Sequence, residues 1–169
     1  MKKYALYGIL MFFFALLLHA CGSSQSAAEK AQLASDIKKA VEMSDFTFEA
    51  TYAYPTGYRS VYLSPSYDVR VTPDTVKAYL PYYGRAYRAP MDPREGGFQF
   101  ASTDFTYSYG PGSRRGSWMA HITILDLDRP VTFSFDIWEN GSSRLVVNDF
   151  NRQSISFQGD FRIREEKEL

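Results

Sequence analysis

The chain has one cysteine among its 169 residues, so an intramolecular disulfide and a multi-cysteine zinc site are both out of reach. It has no excess of charge: 19 Lys and Arg balance 19 Asp and Glu without segregation, which leaves no general attraction for a phosphate backbone and argues against nucleic acid as a partner. Histidine is nearly missing, with only His19 and His121. There is no Gly-x-Ser-x-Gly elbow, and Gly96-Gly97 and Gly110 to Gly112 lack the spacing of Walker or dinucleotide loops. No Asp-x-Asp-x-Asp-Gly loop is present, so neither a cofactor nor a metal is expected. What the chain does have is aromatic residues: 17% of it, with 13 Tyr and 13 Phe, too rich in packing groups for a disordered protein and of a length for one domain.

Lys2 and Lys3 precede an uncharged run from Tyr4 to Leu18, a basic region followed by an apolar one of the kind that opens an export signal. A membrane-spanning helix needs about 20 apolar residues, and this run stops short of that. The segment Leu18-His19-Ala20-Cys21 resembles the bacterial lipobox, with Leu three positions before the cysteine and a small residue directly before it. His19 departs from the small or hydroxylated residue usual at its position. The resemblance implies cleavage before Cys21, diacylglycerol on its thiol and a further acyl chain, palmitate in character, on its new amine. Each buried methylene contributes about 0.8 kcal/mol, so two or three chains hold a protein on a membrane where one does not. Cleavage removes Lys2 and Lys3 and no acid, which makes the mature chain slightly acidic. It also leaves no free thiol, excluding thiol catalysis and redox exchange.

The expected organisation is therefore a signal peptide over 1–20, a lipidated flexible tether over 21–27 and a single β-rich domain over 28–169. Gly22 to Ala27 are small and mostly polar, as in a tether. From Ala28 to about Met43, Leu33, Ile37, Ala40 and Val41 form one apolar stripe, with Glu29 early and Lys38 and Lys39 late to suit the helix dipole. After Ser44 the period changes to two. Phe46, Phe48, Ala50, Tyr52 and Tyr54 are read onto one face of a strand, with Thr47, Glu49 and Thr51 on the other. Further strands are expected over 60–63, 67–71, 75–80, 97–101, 105–109, 117–125, 131–138, 144–148, 154–157 and 160–163. Asn140-Gly141 marks a hairpin, and Pro73-Asp74 and Gly110-Pro111-Gly112-Ser113 mark further turns. Val131, Phe133, Phe135 and Ile137 share a core face, as do Trp118, Ala120, Ile122 and Ile124. The fold class is mainly β, an N-terminal helix followed by an antiparallel sheet curled into a lipocalin-like barrel or a half-barrel.

Two groups of residues could carry function. Tyr79, Tyr82, Tyr83 and Tyr87 with Arg85 and Arg88 fall within ten residues and supply flat rings, hydroxyls and guanidinium groups, the chemistry of interface hot spots and of peptide or carbohydrate platforms. The same rings also suit a second role, closing one end of the core with their hydroxyls in water. A hydrolase would instead draw on His121 with Asp126, Asp128, Asp136 or Glu139, as a triad or a carboxylate pair. Asp126 and Asp128 before Arg129-Pro130 are equally ordinary turn residues.

The order of features resembles the domain-of-unknown-function 4251 family of Bacteroidota lipoproteins. The resemblance is carried by the lipobox, the short helix, Phe46-Thr47-Phe48-Glu49-Ala50, the stretch Asp74 to Tyr87 centred on Leu80-Pro81-Tyr82-Tyr83-Gly84-Arg85-Ala86, then Gly97-Phe98-Gln99-Phe100 and Ile155-Ser156-Phe157-Gln158-Gly159. It covers most of residues 28–163. It implies a β-rich cell-envelope domain and supplies no activity. Gly22 to Ser26 lack the acidic cluster associated with surface display in such lipoproteins, which by resemblance places the chain on the outer membrane facing the periplasm. The expected function is a lipid-anchored binding or accessory module that recognises an envelope protein, peptide or glycan, with a hydrolase of envelope polymers as the alternative.

Overall fold

A computed structural model describes residues 26–87, 96–128 and 130–164. It opens on helix α1 (Ala27–Glu42), started by a reciprocal cap: Ser26 Oγ accepts from Glu29 N at 3.2 Å while Ser26 N donates to Glu29 Oε2 at 2.8 Å. At the other end Ser44, at φ 50, lets its N–H reach Val41 O and that of Asp45 reach Ala40 O, which stops the helix and turns the chain into the first strand. Ile37, Ala40 and Val41 are buried and Leu33 packs on the core, so the expected apolar stripe faces inward.

Ten strands follow: β1 (Phe46–Pro55), β2 (Val61–Tyr62), β3 (Asp68–Val71), β4 (Val76–Pro81), β5 (Gly97–Ser102), β6 (Phe105–Pro111), β7 (Ser117–Ile124), β8 (Val131–Trp138), β9 (Ser142–Asp149) and β10 (Ile155–Ile163). All pairings are antiparallel, in the order β5-β4-β3-β1-β10-β9-β8-β7-β6, with the short β2 beside β1. The two end strands β5 and β6 follow one another in sequence without a ladder between them. The sheet thus curls into a nearly closed barrel, as the alternating pattern predicts.

Rings from opposite walls meet inside. Phe46 of β1 contacts Phe135 of β8 edge-on at 5.5 Å and stacks on Phe161 of β10 at 4.8 Å, while Phe133 of β8 meets Phe98 and Phe100 of β5 at 6.3 and 5.9 Å. Phe46, Phe48, Phe133, Phe135 and Phe157 are fully buried, each contributing about 1.5–3 kcal/mol of hydrophobic stabilisation. Phenyl rings from facing walls thus meet across the interior.

Three local expectations need correction. Tyr52 and Tyr54 do not share the face of Phe46, Phe48 and Ala50: the register of β1 on β10 shifts between Ala50 and Tyr52, so Ala53 and Pro55 turn inward and both tyrosines turn outward. The strands read over 154–157 and 160–163 are one strand, because Gly159 stays in the ladder opposite Ala50, where a Cβ would collide with the Glu49 carbonyl. Gly110 and Pro111 end β6 rather than making a turn, and the reversal comes later, with Gly116 at φ 74 and Gly112 N donating to Ser117 O at 2.8 Å. The Asn140-Gly141 hairpin is a three-residue loop whose Gly141 sits at φ 83, and Pro73-Asp74 turns between β3 and β4 with Thr72 Oγ1 donating to Asp74 Oδ1 at 2.7 Å.

Candidate functional site

The tyrosine-rich segment leaves β4 at Pro81 and crosses to the loop between β9 and β10, at the end of β1 remote from the helix. Tyr82 is the post on which it hangs. Its hydroxyl lies 2.9 Å from Arg85 O and 3.1 Å from Gln153 O, its ring meets Phe98 edge-on at 5.9 Å, and the Arg152 guanidinium lies over it at 5.2 Å. Burial pushes the Tyr82 hydroxyl above the ordinary tyrosine value, so it stays protonated and able to donate. Arg152 is itself held by Asp149 at 3.4 Å and by Gly97 O at 3.4 Å. The backbone is pinned as well: Tyr87 N donates to Asn151 O at 2.7 Å, Gln153 N to Arg85 O at 3.1 Å and Arg85 N to Gln153 Oε1 at 3.3 Å.

Other side chains of the segment reach solvent. Tyr83 is 36% exposed and Tyr87 69% exposed, Arg85 is exposed, and its guanidinium makes no hydrogen bond or ion pair among the described residues. Tyr79 stands apart on β4, stacked on Tyr67 at 5.3 Å. Tyr82 thus closes the end of the core, while Tyr83, Arg85 and Tyr87 stand as a rim on a backbone tied by these hydrogen bonds. Arg88 and Cys21 lie outside the described residues.

The residues of the hydrolase alternative form no hydrogen-bonded triad or carboxylate pair among the described residues. His121, on the outer face of β7, has Nδ1 3.0 Å from Ser134 Oγ on β8 and makes no hydrogen bond to a carboxylate among the described residues. Asp126 accepts from Ser102 Oγ at 2.6 Å beyond one end of β7, with Asp128 exposed two residues on. Glu139 lies past the other end of β8, its backbone N–H donating to Gly116 O, and Asp136 faces Arg144 of β9. Among the described residues no group of three His, Cys, Asp or Glu is placed to hold a metal ion, and no helix is long and apolar enough to cross a membrane.

One surface escaped the sequence reading. The register shift in β1 brings Tyr52 and Tyr54 outward, 6.4 Å apart, with Tyr62 edge-on to Tyr52 at 5.2 Å. Strict alternation hid them, and the available signal was Gly159, a residue without a side chain opposite the point of the shift.

A nearly closed antiparallel sheet with one packed helix and an aromatic core defines a small, mainly β domain. Residues 28–161 match the family described as Domain of unknown function (DUF4251), and the chain belongs to that family. Among solved structures it is similar to a DUF4251 family protein from Bacteroides eggerthii DSM 20697, with a TM-score of 0.59 and 12% sequence identity over 82% of this chain and 92% of that one. At that identity the likeness is one of fold. No curated protein matches the chain.

Proposed function

We propose that this protein is a lipid-anchored binding module of the bacterial cell envelope, held through Cys21 to the periplasmic face of the outer membrane, whose Tyr83, Arg85 and Tyr87 rim recognises an envelope protein, peptide or glycan. The observation that carries the reading is the division of labour within the segment: Tyr82 and the backbone are fixed by the fold, while Tyr83 and Tyr87 reach solvent and the Arg85 guanidinium makes no hydrogen bond or ion pair among the described residues. Side chains presented from a pinned backbone lose little entropy on binding, and Tyr and Arg are the residues most used as contact anchors.

The rim adjoins the loop before Ile155, which pairs with Pro55 at the end of β1 remote from Phe46. The triple variant Tyr83→Ala, Arg85→Ala, Tyr87→Ala tests the assignment: it should unfold at the wild-type temperature and lose the envelope components that cross-link to wild type in cells. Retention of the same components by the folded variant overturns it.

A further inference from the structure

A second site lies on the outer face of β1, β10, β9 and β8, remote from the rim segment in sequence and independent of it. There Tyr54, Trp138, Ser142, Arg144, Ser156 and Gln158 line a groove of about 420 Å³, floored by Ser143 and Phe157. That volume falls in the range of small-molecule sites. We propose that this groove binds a carboxylated sugar, a uronic-acid residue of an acidic glycan.

The argument rests on which hydrogen-bonding groups the fold has already consumed. Tyr54 Oη donates to Gln158 Oε1 at 3.0 Å, which occupies the amide oxygen and leaves the amide N–H groups free. Ser142 Oγ donates to Asn140 Oδ1 at 2.7 Å. The Arg144 guanidinium and the Ser156 hydroxyl make no hydrogen bond or ion pair among the described residues. Asp136 faces Arg144 across the β8–β9 ladder, yet no ion pair joins them, and no carboxylate is among the lining residues. The groove is therefore supplied with unspent donors, one of them a permanently charged fork that fits a carboxylate with two parallel bonds. Its aromatic groups, Trp138 and Tyr54, offer the flat apolar surface on which the C–H face of a pyranose packs.

A peptide fits less well. The groove sits on interior strands of the sheet, whose backbone groups are engaged in the β1–β10, β10–β9 and β9–β8 ladders, so an extended chain finds no free edge to pair with. Recognition has to come from side chains, and the side chains available read hydroxyls, a ring face and an anion.

Trigalacturonate and its methyl ester, titrated into the full chain in detergent and followed by ligand-observed NMR, separate these contributions, since the ester keeps the rings and loses the charge. The acid should bind at least about tenfold more tightly than the ester, the loss expected when a charge-assisted bidentate pair is removed. Arg144→Gln should abolish that preference, and Tyr54→Ala should weaken both ligands. Both positions are exposed, so both variants should unfold at the wild-type temperature. The triple rim variant should bind trigalacturonate unchanged. No binding of the acid, equal binding of the ester, an undiminished preference in Arg144→Gln, or loss of binding in the rim variant would each overturn the site.

Discussion

The hydroxyl of Tyr107, on the edge strand β6, donates a 2.6 Å hydrogen bond to the carbonyl of Val41 in the last turn of α1. Carbonyls in a last helical turn have no partner within the helix, and this one takes the Ser44 N–H at 3.2 Å from the turn and the Tyr107 hydroxyl from the open side of the barrel. Tyr107→Phe should cost about 1 kcal/mol, the loss of one partly buried hydrogen bond while the Val41 carbonyl keeps the Ser44 N–H, measured by urea denaturation. A wild-type unfolding midpoint in the variant would show that the helix is held by its apolar stripe alone.

The same residue should make stability depend on alkaline pH. Burial, reinforced by neighbouring Tyr109, holds the Tyr107 hydroxyl above the ordinary tyrosine value near 10, so the folded state keeps a proton that the unfolded chain releases. Its contribution is fully present below about pH 10 and is lost as pH rises beyond it. Thermal unfolding between pH 9 and pH 11.5 should fall less steeply for Tyr107→Phe than for wild type. Some slope should persist in the variant, because Tyr82 is raised in the same direction.

The register shift in β1 separates two outcomes at adjacent positions. Ala53 is fully buried while Tyr52 is 40% and Tyr54 42% exposed. Ala53→Glu should unfold the domain or cost about 3 kcal/mol or more by burying an unpaired carboxylate, whereas Tyr52→Ser should stay within about 1 kcal/mol of wild type. A strictly alternating β1 predicts the reverse, and denaturation midpoints of the two variants decide between them.

That pair also shows where the sequence was legible. The stripe Ile37, Ala40, Val41 and the alternation Val131 to Ile137 reached their expected faces because each lies in a regular element, where a fixed period converts spacing into direction. The outward turn of Tyr52 and Tyr54 depends on one extra residue in β1 relative to its partner, a fact of pairing rather than of composition. The candidate rim was legible as a cluster but not as a division of roles. Tyr82 differs from Tyr83 only in what stands opposite, the Gln153 carbonyl and the Arg152 guanidinium, some 70 residues further along. The groove with Arg144 was invisible, since its lining comes from four strands joined by the sheet order.

Tyr82→Phe should loosen the rim without unfolding the protein. It removes the hydroxyl shared by Arg85 O and Gln153 O and keeps the ring contact with Phe98. Amide exchange at Tyr87 and Gln153 should accelerate by about tenfold, equivalent to roughly 1.4 kcal/mol of local stability, while core amides of β8 stay protected. Unchanged exchange at both positions would mean that the backbone bonds hold the segment unaided.

Cys21→Ser should release the protein from the membrane fraction and abolish incorporation of labelled palmitate, whereas wild type should sediment with membranes and give an N-terminal peptide carrying diacylglycerol and a further acyl chain. A wild-type mature chain that retains residues 1–20, or starts at an unmodified Cys21, contradicts the anchor.

The most direct test of the account is site-specific photo-cross-linking in intact cells, with benzoylphenylalanine placed at Tyr87 on the rim and at Ser113 in the exposed turn between β6 and β7, at the opposite end of the barrel. The account predicts a discrete envelope adduct from position 87 that is absent from position 113 and disappears when Tyr83→Ala and Arg85→Ala are introduced beside the probe. Equal adducts from both positions, or none from position 87, would contradict it.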